Sequence, residues 1–427
     1  MSQQTYVIVG ASLAGAKAAQ TLREEGFAGR IVLIGEETEP PYERPPLSKG
    51  YLLGAEAREK AFVQEPQWYG NNDIEWRPGT LAVDLDLAGR VLTLHPKDTI
   101  GYDKLLLATG SRVRTLTVPG SELPGVHYLR TLDQADALLA GFGAAGHVVV
   151  IGAGWIGLET AAAARQHGCE VTVVEADSLP LRRVLGADVA AVYRDLHAAH
   201  GVDFRFDSGV REIRAADGVN GSVTGVLLTD GWEVAADLVV VGIGIRPAVE
   251  LAQAAGLEVD NGVVTDAFLR TSDPNVYACG DVASSFNPLL GTRLRVEHWA
   301  NALNGGPAAA RSMLGKSEEY APVPYFFSDQ YDLGMEYTGW VTPGQYDRVV
   351  FRGDPTVQGP DRAAPEFIAF WVRTAEGGAG EVLAGMNANV WDVTETIADL
   401  VRAGLRGRTV DLAALADPDV PLGELLT

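Results

Sequence analysis

The chain has 427 residues, more than a single hydrophobic core usually covers, so we expect two or three domains. Apolar residues make up 47% and charged residues 21%, a globular composition that excludes the disordered and fibrous classes for the bulk of the chain. A net charge of −22 excludes non-specific binding to nucleic acid, because the phosphate backbone would repel so acidic a protein.

Neither the start of the sequence nor its cysteine content indicates an exported or membrane protein. Residues 1–10 (MSQQTYVIVG) have no basic region before a strand pattern begins, and the longest uncharged apolar run, near 148–158, is too short to span a bilayer. Cys169 and Cys279 lie far apart and form neither a disulfide framework nor a Cys-x-x-Cys motif. These features predict a cytoplasmic protein without a metal site.

In chain order, two segments repeat the pattern strand, glycine turn, helix and strand. The strands of the two segments are residues 6–10 (YVIVG), 31–35 (IVLIG), 148–152 (VVVIG) and 171–175 (VTVVE). Each segment is the βαβ unit of a parallel sheet. Further short strands are predicted at 104–109, 238–241 and 275–278, and an aromatic-rich α+β region follows from about 322. The sequence therefore predicts an α/β fold with two Rossmann-like dinucleotide-binding domains and a C-terminal α+β domain.

The first glycine turn is Gly10-Ala-Ser12-Leu-Ala14-Gly15, and it departs from the dinucleotide fingerprint at Ser12. The middle glycine of the fingerprint lets the backbone approach a pyrophosphate, so we expect Ser12 to crowd that approach slightly. Glu36 ends the next strand, where a carboxylate can accept hydrogen bonds from the adenosine ribose hydroxyls. Taken alone, this turn also fits an ordinary βαβ crossover without a ligand.

The second turn, Gly152-Ala-Gly154-Trp-Ile-Gly157, fits the fingerprint in full, and Glu175 ends the following strand. Amide groups at the start of the helix face the pyrophosphate, and the helix dipole favours its charge. Two such turns in one chain predict an enzyme that uses a flavin and a nicotinamide dinucleotide. Glu175 favours NADH over NADPH, because its carboxylate would repel a 2′-phosphate.

Three further segments end predicted strands with small residues. They are Leu107-Ala-Thr109-Gly110, Gly242-Ile-Gly244-Ile-Arg246-Pro247 and Tyr277-Ala-Cys-Gly280-Asp281. In the last, the carboxylate of Asp281 follows a tight glycine turn and could hold a flavin ribityl hydroxyl. Each segment alone indicates no more than the end of a strand, and only the order of the three segments along the chain points to a known pattern.

In this order the motifs resemble the pyridine-nucleotide-linked FAD reductases of the glutathione-reductase fold. Over nearly its whole length the chain is similar to the ferredoxin reductases of bacterial oxygenase systems, the subgroup of putidaredoxin reductase, rhodocoxin reductase and biphenyl dioxygenase ferredoxin reductase. The motifs that carry the resemblance are GASLAG, PPYERPPLSKGYL, ATGSR, YLRTLDQA, GAGWIGLE, GIGIRP, YACGDVA, RVEHW and SDQY. The implied domains are an FAD-binding domain (1–112 and 246–321), an NAD-binding domain (113–245) and a C-terminal domain (322–427).

The resemblance also implies roles for individual residues. The positions that match flavin contacts are Ala14, Glu36, Arg44, Lys49, Ala82, Arg130, Asp281 and Trp299. Lys49 would lie close to the isoalloxazine, and Glu159 would meet the nicotinamide and pair with Lys49. The alternative is that Lys49 is an ordinary surface lysine and Glu159 an ordinary helix glutamate, neither with a role in catalysis. Gly244 and Phe327 complete the predicted cofactor-binding set, with Phe327 standing where the subgroup usually has a tryptophan.

Two departures from the related branches affect the expected chemistry. Residues 40–50 contain no cysteine, which excludes the thiol chemistry of disulfide reductases and peroxidases. The stretch Asn304-Gly-Gly-Pro307 replaces one that is usually helical, and we expect Pro307 to begin a shortened helix on the face where a protein acceptor docks.

The implied reaction is hydride transfer from NADH to FAD, followed by transfer of single electrons to a two-iron two-sulfur ferredoxin that serves an oxygenase such as a haem monooxygenase. A rubredoxin or quinone reductase on the same scaffold is an alternative, as is a redox-sensing interaction protein resembling apoptosis-inducing factor. An acidic ferredoxin would need a basic patch, for which Arg293, Arg295 and Arg311 are the candidates, unless these arginines pair with neighbouring acids.

Overall fold

The computed structural model describes residues 3–96, 98–216, 221–359 and 362–426. Its strands are β1 (Thr5–Val9), β2 (Arg30–Ile34), β3 (Ile74–Arg77), β4 (Leu81–Asp86), β5 (Val91–His95), β6 (Asp98–Gly101), β7 (Lys104–Leu107), β8 (Ser111–Val113), β9 (Val126–His127), β10 (His147–Ile151), β11 (Glu170–Val174), β12 (Val202–Arg205), β13 (Val210–Ala215), β14 (Val223–Leu228), β15 (Glu233–Ala235), β16 (Leu238–Val241), β17 (Ile245–Pro247), β18 (Val263–Thr265), β19 (Val276–Ala278), β20 (Ala283–Asn287), β21 (Thr292–Leu294), β22 (Tyr325–Gln330), β23 (Leu333–Gly339), β24 (Arg348–Gly353), β25 (Phe367–Thr374), β26 (Ala379–Ala388) and β27 (Val410–Asp411). Its helices are α1 (Leu13–Glu24), α2 (Pro66–Asn71), α3 (Leu132–Phe142), α4 (Trp155–Gln166), α5 (Arg182–Ala199), α6 (Glu250–Ala254), α7 (Trp299–Met313), α8 (Thr394–Gly404) and α9 (Leu412–Ala416).

The chain forms two compact units. The first contains the residues up to Arg44 together with Arg58–Arg112 and Ile245–Pro324, and the second contains Pro45–Ala57, Val113–Gly244 and the chain from Tyr325 onward. The three domains predicted from the sequence are a finer division, and their limits stay a prediction.

A five-stranded parallel sheet lies at the centre of the first unit, in the order β19-β7-β1-β2-β3. Alternate residues of β1 enter different cores, Tyr6 and Ile8 on one face and Val7 and Val9 on the other. A strand buried on both faces has to be apolar at every position, which is why YVIV reads as a continuous apolar run. Helix α1 crosses from β1 to β2 and packs its small residues on the sheet.

The second unit repeats this arrangement. Its five-stranded parallel sheet has the order β12-β11-β10-β16-β9, and α4 crosses from β10 to β11 as α1 crosses from β1 to β2. In both sheets the strand that precedes the glycine turn is the central one. The predicted pair of Rossmann-like units is therefore confirmed.

The C-terminal part of the second unit is built on an antiparallel sheet in the order β22-β23-β26-β25-β24, with β27 paired to β26. Helix α8 packs on this sheet through Ile397, whose methyl group lies where a side chain on Gly385 of β26 would have to fit. The predicted C-terminal α+β region is also confirmed.

Helix α7 corrects the prediction for Pro307. The helix runs without interruption from Trp299 to Met313, with Pro307 inside it, so no shortened helix begins at that residue. The reason is its packing on α1: a Cβ on Gly306 would lie 2.3 Å from the carbonyl oxygen of Ala14 and 3.1 Å from the amide nitrogen of Ala18. The glycine lets the two backbones approach closely, and this burial outweighs the local preference of proline to end or begin a helix.

In the described ranges, no helix combines the length and the apolar character that crossing a membrane would require.

Candidate functional site

The first glycine turn joins β1 to α1 through backbone contacts that require glycine. Gly10 has a φ of +117°, and a Cβ there would lie 2.1 Å from the carbonyl oxygen of Ala108, just after β7. A Cβ on Gly15 would lie 1.9 Å from the carbonyl oxygen of Gly10. The two glycines therefore place the first N–H groups of α1 at the carboxyl edge of the sheet, where open α/β sheets bind ligands.

Ser12 replaces the middle glycine of this turn without conformational strain. Its backbone is extended, with a φ of −115° and a ψ of −161°, so the position accepts any residue. Its hydroxyl donates to the carbonyl oxygen of Tyr42 at 3.3 Å, across to the loop that carries Arg44. The first turn of α1 is Leu-Ala-Gly and carries no charge, so the positive end of the helix dipole is available to an anion.

Arg44 belongs to a hydrogen-bonded cluster in the loops that follow β2. Its guanidinium donates to the hydroxyl of Tyr42 and to a carboxylate oxygen of Glu37, both at 2.7 Å, and the Tyr42 hydroxyl donates to the other oxygen of Glu37. Tyr42 is almost fully buried. The cluster therefore fixes the position of Arg44 beside the turn that contains Ser12.

Glu36 and Ala82 lie near the end of β2. The carboxylate of Glu36 is exposed and forms an ion pair of 3.1 Å with Arg112. Thr80 donates its N–H to the carbonyl oxygen of Gly35 at 2.7 Å, so the strand that carries Ala82 begins beside the residue before Glu36. An exposed carboxylate at this edge can exchange part of its pairing for ribose hydroxyls at little cost.

Asp281 lies in a short 3₁₀ turn after β19, next to the start of α1. Gly280 in this turn has a φ of +72°, and a Cβ on it would lie 3.3 Å from the Cβ of Ala14. Trp299, the first residue of α7, donates from Nε1 to the carboxylate of Glu43 at 2.8 Å. Within the first unit, these contacts bring Asp281 to the glycine turn and tie Trp299 to the loop that contains Arg44.

The second glycine turn repeats the geometry of the first. Gly152 has a φ of +100°, and a Cβ on it would lie 2.5 Å from the carbonyl oxygen of Gly242, while a Cβ on Gly157 would lie 2.0 Å from the carbonyl oxygen of Gly152. Gly154 is different, because its backbone is extended and a Cβ on it would meet no described atom within 4 Å. The protein's own packing thus requires Gly152 and Gly157, whereas the space beside Gly154 is open to a ligand.

Glu175 lies beside this second turn. One oxygen of its carboxylate accepts the N–H of Ala153 at 2.7 Å, and the other accepts the N–H of Asp177 at 2.9 Å. Arg182 donates to Asp177 at 3.0 Å and to the hydroxyl of Ser178 at 2.8 Å. The N–H of Ser178 and the guanidinium of Arg182 hold the pKa of Asp177 below its ordinary value. Arg182 is therefore paired with an acid, and it is less available to neutralise a 2′-phosphate bound near Glu175.

Gly244 and Arg130 lie in loops of the second unit. Gly244 has a φ of +95°, and its carbonyl oxygen accepts the N–H of Arg114 at 2.9 Å. Arg130 immediately precedes Thr131, which caps α3. Their contacts with cofactors stay predictions.

Lys49 and Glu159 form a buried ion pair in the second unit. The Nζ of Lys49 lies 2.7 Å from Oε1 of Glu159, and the two side chains are 15% and 3% exposed. Two hydroxyls also donate to this carboxylate, Ser48 to Oε2 and Ser328 to Oε1, the latter at 2.6 Å. The ammonium group of Lys49 lies 5.3 Å from the ring centre of Phe327, within the range of a cation–π interaction. The arrangement concentrates opposite charges where little water reaches them, one helical turn into α4.

Sequence reasoning singled out Lys49, Glu159 and Phe327 but missed the two serines. Ser48 and Ser328 lie within the PPLSK and SDQY motifs, directly beside Lys49 and Phe327. Their position next to predicted site residues was the available signal. Nothing in the local sequence indicates that both hydroxyls contact the same carboxylate.

The three arginines considered for a basic patch are engaged within the protein. Arg311 pairs with Glu25 at 2.9 Å, and Arg295 pairs with Glu297. Arg293 donates to two backbone carbonyl oxygens at 2.6 and 2.7 Å. The alternative, that these arginines pair with neighbouring acids, is confirmed for Arg295 and Arg311, whereas Arg293 bonds to backbone carbonyl oxygens instead.

The two cysteines offer no reactive thiol. Both are free and buried, and burial raises the pKa of Cys279 to about 12 and the pKa of Cys169 above its ordinary value. Thiolate is the reactive form, so neither side chain suits disulfide exchange. Among the described residues, no three or more His, Cys, Asp or Glu side chains are grouped so that they could hold a metal ion.

The two glycine turns fit the pyrophosphates of FAD and of a nicotinamide dinucleotide. Each presents an uncharged first helical turn at the carboxyl edge of a parallel sheet, and an acidic side chain lies at the end of the next strand, Glu36 in one case and Glu175 in the other. Gly154 is exposed and a Cβ on it would meet no described atom within 4 Å, so the backbone there leaves the room that a pyrophosphate needs for close approach.

Comparisons with known proteins agree with this reading. The family described as "Pyridine nucleotide-disulphide oxidoreductase" matches residues 4–306, and the family "Reductase C-terminal" matches residues 325–426. The chain is 42% identical over 426 residues, covering 100% of both chains, to the ferredoxin–NAD(+) reductase component of the anthranilate 1,2-dioxygenase system of Burkholderia cepacia. It is 43% identical to rhodocoxin reductase of Rhodococcus erythropolis, over 81% of this chain and 80% of the relative.

Among solved structures, the chain is similar to the covalent putidaredoxin reductase–putidaredoxin complex, with a TM-score of 0.89 and 35% identity over 99% of this chain and 98% of the matched chain.

Proposed function

The chain belongs to the pyridine nucleotide-disulphide oxidoreductase family, and we propose that it is an NADH:ferredoxin reductase that passes single electrons to a two-iron two-sulfur ferredoxin serving an oxygenase. FAD and NADH are its cofactors. The observation that carries the proposal is the repeated glycine turn, one in each unit, with a buried lysine–glutamate pair one helical turn beyond the second. A chain that binds two dinucleotides and lacks a reactive thiol is suited to move electrons between a nicotinamide and an external acceptor.

The proposed acceptor follows from the relatives. One of them is the ferredoxin–NAD(+) reductase component of a dioxygenase system, and a solved relative is joined to putidaredoxin. Both resemble this chain over essentially its full length, including the C-terminal family match. The downstream oxygenase is of the haem monooxygenase or ring-hydroxylating dioxygenase kind.

When bound, FAD supplies the ability to accept two electrons as a hydride equivalent and to release them one at a time. The chain's own groups bind and orient the cofactors. The uncharged starts of α1 and α4 would bind the pyrophosphates, and Glu36 and Glu175 would accept hydrogen bonds from ribose hydroxyls. Asp281 would accept a hydrogen bond from a ribityl hydroxyl.

Lys49 and Glu159 supply the charges of the reacting region. A nicotinamide ring gains positive charge as hydride leaves it, and a carboxylate held close by stabilises that charge. The ammonium group of Lys49, 2.7 Å from this carboxylate, holds it in place and balances its charge in a site with little water. Neither group acts as a nucleophile.

We further propose that the enzyme works in the cytoplasm, where NADH is available and where free cysteines such as its two are the usual state.

The test is anaerobic turnover of the purified holoenzyme with NADH and purified two-iron two-sulfur ferredoxins from oxygenase systems. Rapid reduction of at least one ferredoxin is expected. Reduction of rubredoxin or a quinone but of no ferredoxin would contradict the proposed acceptor, and slow turnover with every acceptor would favour a redox-sensing role.

A matched pair of lysine variants tests the site within the same assay. Lys49→Met should lower the rate of flavin reduction by NADH roughly ten-fold or more, because the buried carboxylate loses its counter-charge. Lys60→Met, which removes an exposed lysine from the first unit, should leave the rate unchanged. Equal rates for both variants would contradict the role of Lys49.

A further inference from the structure

A chain of buried polar side chains leads away from Glu159 within the second unit. The hydroxyl of Ser328 lies 2.6 Å from Oε1 of Glu159, and Nε2 of Gln330 lies 3.1 Å from that hydroxyl. Nε2 of His197, on α5, lies 2.7 Å from the amide oxygen of Gln330. Ser328, Gln330 and His197 are each at most 1% exposed.

The Glu159 carboxylate determines the direction of each hydrogen bond in the series Glu159–Ser328–Gln330–His197. An ionised carboxylate only accepts, so the single hydroxyl proton of Ser328 goes to Glu159. The Ser328 oxygen can then only accept from Gln330, which fixes the amide with its NH₂ group toward the serine. The amide oxygen of Gln330 therefore accepts from His197, whose proton lies on Nε2.

The state of His197 is consistent with this direction. Burial lowers the pKa of His197 to about 4, so the ring is neutral in neutral solution. With its proton on Nε2, its Nδ1 is an acceptor, and the hydroxyl of Tyr331 lies 3.4 Å from it. Three neutral groups thus point their donor ends toward one carboxylate and add no charge of their own.

Other ionisable groups also face Glu159. Lys49 reaches it from the segment after the 3₁₀ turn Pro45–Ser48, and Asp329 and Tyr193 approach from β22 and α5. Burial raises the pKa of Asp329, an effect that Lys49 opposes and the charge of Glu159 reinforces. Burial likewise raises the pKa of Tyr193, which keeps its hydroxyl neutral.

We propose that Ser328, Gln330 and His197 are positioning residues that hold the carboxylate of Glu159 ionised and in one orientation for hydride transfer. The inference rests on the proposed function, in which this carboxylate stabilises the nicotinamide as it loses hydride. Both oxygens of Glu159 are held by hydrogen bonds. Ser48 donates to Oε2 and Lys49 to Oε1 from one segment, and Ser328, backed by Gln330 and His197, donates to Oε1 from the side of β22 and α5. A protonated or rotated side chain would lose the interaction with the developing positive charge.

The test measures the pH dependence of the limiting rate of flavin reduction by NADH in anaerobic stopped-flow experiments with the holoenzyme, between about pH 5 and pH 9. Ser328→Ala removes the donor to Glu159, and Gln330→Leu breaks the relay one step behind it. In both variants the acid limb of the profile should move to higher pH, by roughly one unit for Ser328→Ala, the size of one hydrogen bond to a charged group. Ser328→Thr keeps a hydroxyl and should restore the wild-type profile.

Ser208→Ala is the matched control. Ser208 is buried in the same unit, and its hydroxyl has no hydrogen-bond partner among the described residues, so its removal should leave the profile unchanged. Coincident profiles for wild type, Ser328→Ala and Gln330→Leu, or no acid limb in any of them, would overturn the inference.

Failure of the positioning role can be distinguished from misfolding of a variant and from failure of the proposed function. If Ser328→Ala does not fold with bound FAD, Gln330→Leu and His197→Asn carry the same comparison. Wild-type enzyme that NADH does not reduce at any pH would defeat the proposed function itself, whereas an active wild type with unshifted variants would defeat only the positioning role.

Discussion

Gly154→Ala separates the role of a glycine in folding from its role in binding a ligand. The backbone at Gly154 has a φ of −79° and a ψ of −177°, which alanine adopts without strain. The added Cβ would meet no described atom within 4 Å. The stability of the variant should therefore equal that of the wild type or exceed it by about 0.4–1 kcal/mol, because alanine restricts the unfolded chain.

The binding of NADH should respond in the opposite direction. A methyl group would occupy the space through which the backbone approaches a pyrophosphate. A loss of about 1.4 kcal/mol, the smallest we expect from such a contact, weakens binding about ten-fold. The assay is the dissociation constant of NAD+ and the KM for NADH, measured beside thermal unfolding and FAD content.

Gly157→Ala provides the contrast in the same turn. Its Cβ would lie 2.0 Å from the carbonyl oxygen of Gly152, so the helix must move and stability should fall by about 1–3 kcal/mol. If Gly154→Ala binds NAD+ as tightly as the wild type does, or is destabilised as much as Gly157→Ala, then the open space beside Gly154 is not a pyrophosphate site.

Three further predictions concern helix packing, cofactor choice and pH. Gly306→Ala should destabilise the protein by about 1–3 kcal/mol and weaken FAD retention, because its Cβ would lie 2.3 Å from a backbone oxygen of α1. The assay is thermal unfolding with FAD release. Gly70→Ala is the control, because its Cβ would meet no described atom within 4 Å. NADH should exceed NADPH about 10- to 100-fold in kcat/KM, and Glu175→Ala should narrow that ratio, whereas an unchanged ratio would contradict the assignment. His197 has a folded-state pKa of about 4, below its ordinary value, so its contribution to stability is present above about pH 6.5 and is lost as pH falls toward 4. Between about pH 7 and pH 5 the wild type should therefore lose about 2 kcal/mol more unfolding free energy than His197→Asn, and parallel losses in urea denaturation would refute the burial of a neutral ring.

Local signals explain why much of the fold could be predicted. Some structural requirements are visible within a few residues of sequence. Examples are the apolar runs of β1 and β10, which are buried on both faces, and the glycines with positive φ at residues 10 and 152. The prediction at Pro307 was wrong because the decisive contact lies almost 300 residues away along the chain, where Gly306 packs on the backbone of Ala14. A local preference was overridden by tertiary packing that the local sequence does not display.

The candidate site also contains some residues that the sequence indicates and others that only the fold reveals. Lys49 and Glu159 lie in recognisable motifs, and the structure brings them within 2.7 Å. His197 lies in no such motif, because a histidine in an amphipathic helix fits an ordinary core position. Ser328 lies in the SDQY motif, but nothing local indicates that its hydroxyl contacts Glu159. Only the fold shows that both belong to one hydrogen-bonded chain that ends at Glu159.

The central claim is that the protein converts a hydride from NADH into single electrons for a ferredoxin. An anaerobic titration of catalytic amounts of holoenzyme with NADH, in the presence of excess oxidised two-iron two-sulfur ferredoxin, measures this conversion directly. The account predicts that each NADH consumed yields two reduced ferredoxins, read from the visible absorbance of the iron–sulfur cluster. Reduction of the bound FAD without any reduced ferredoxin, or no reduction of the FAD, would contradict it.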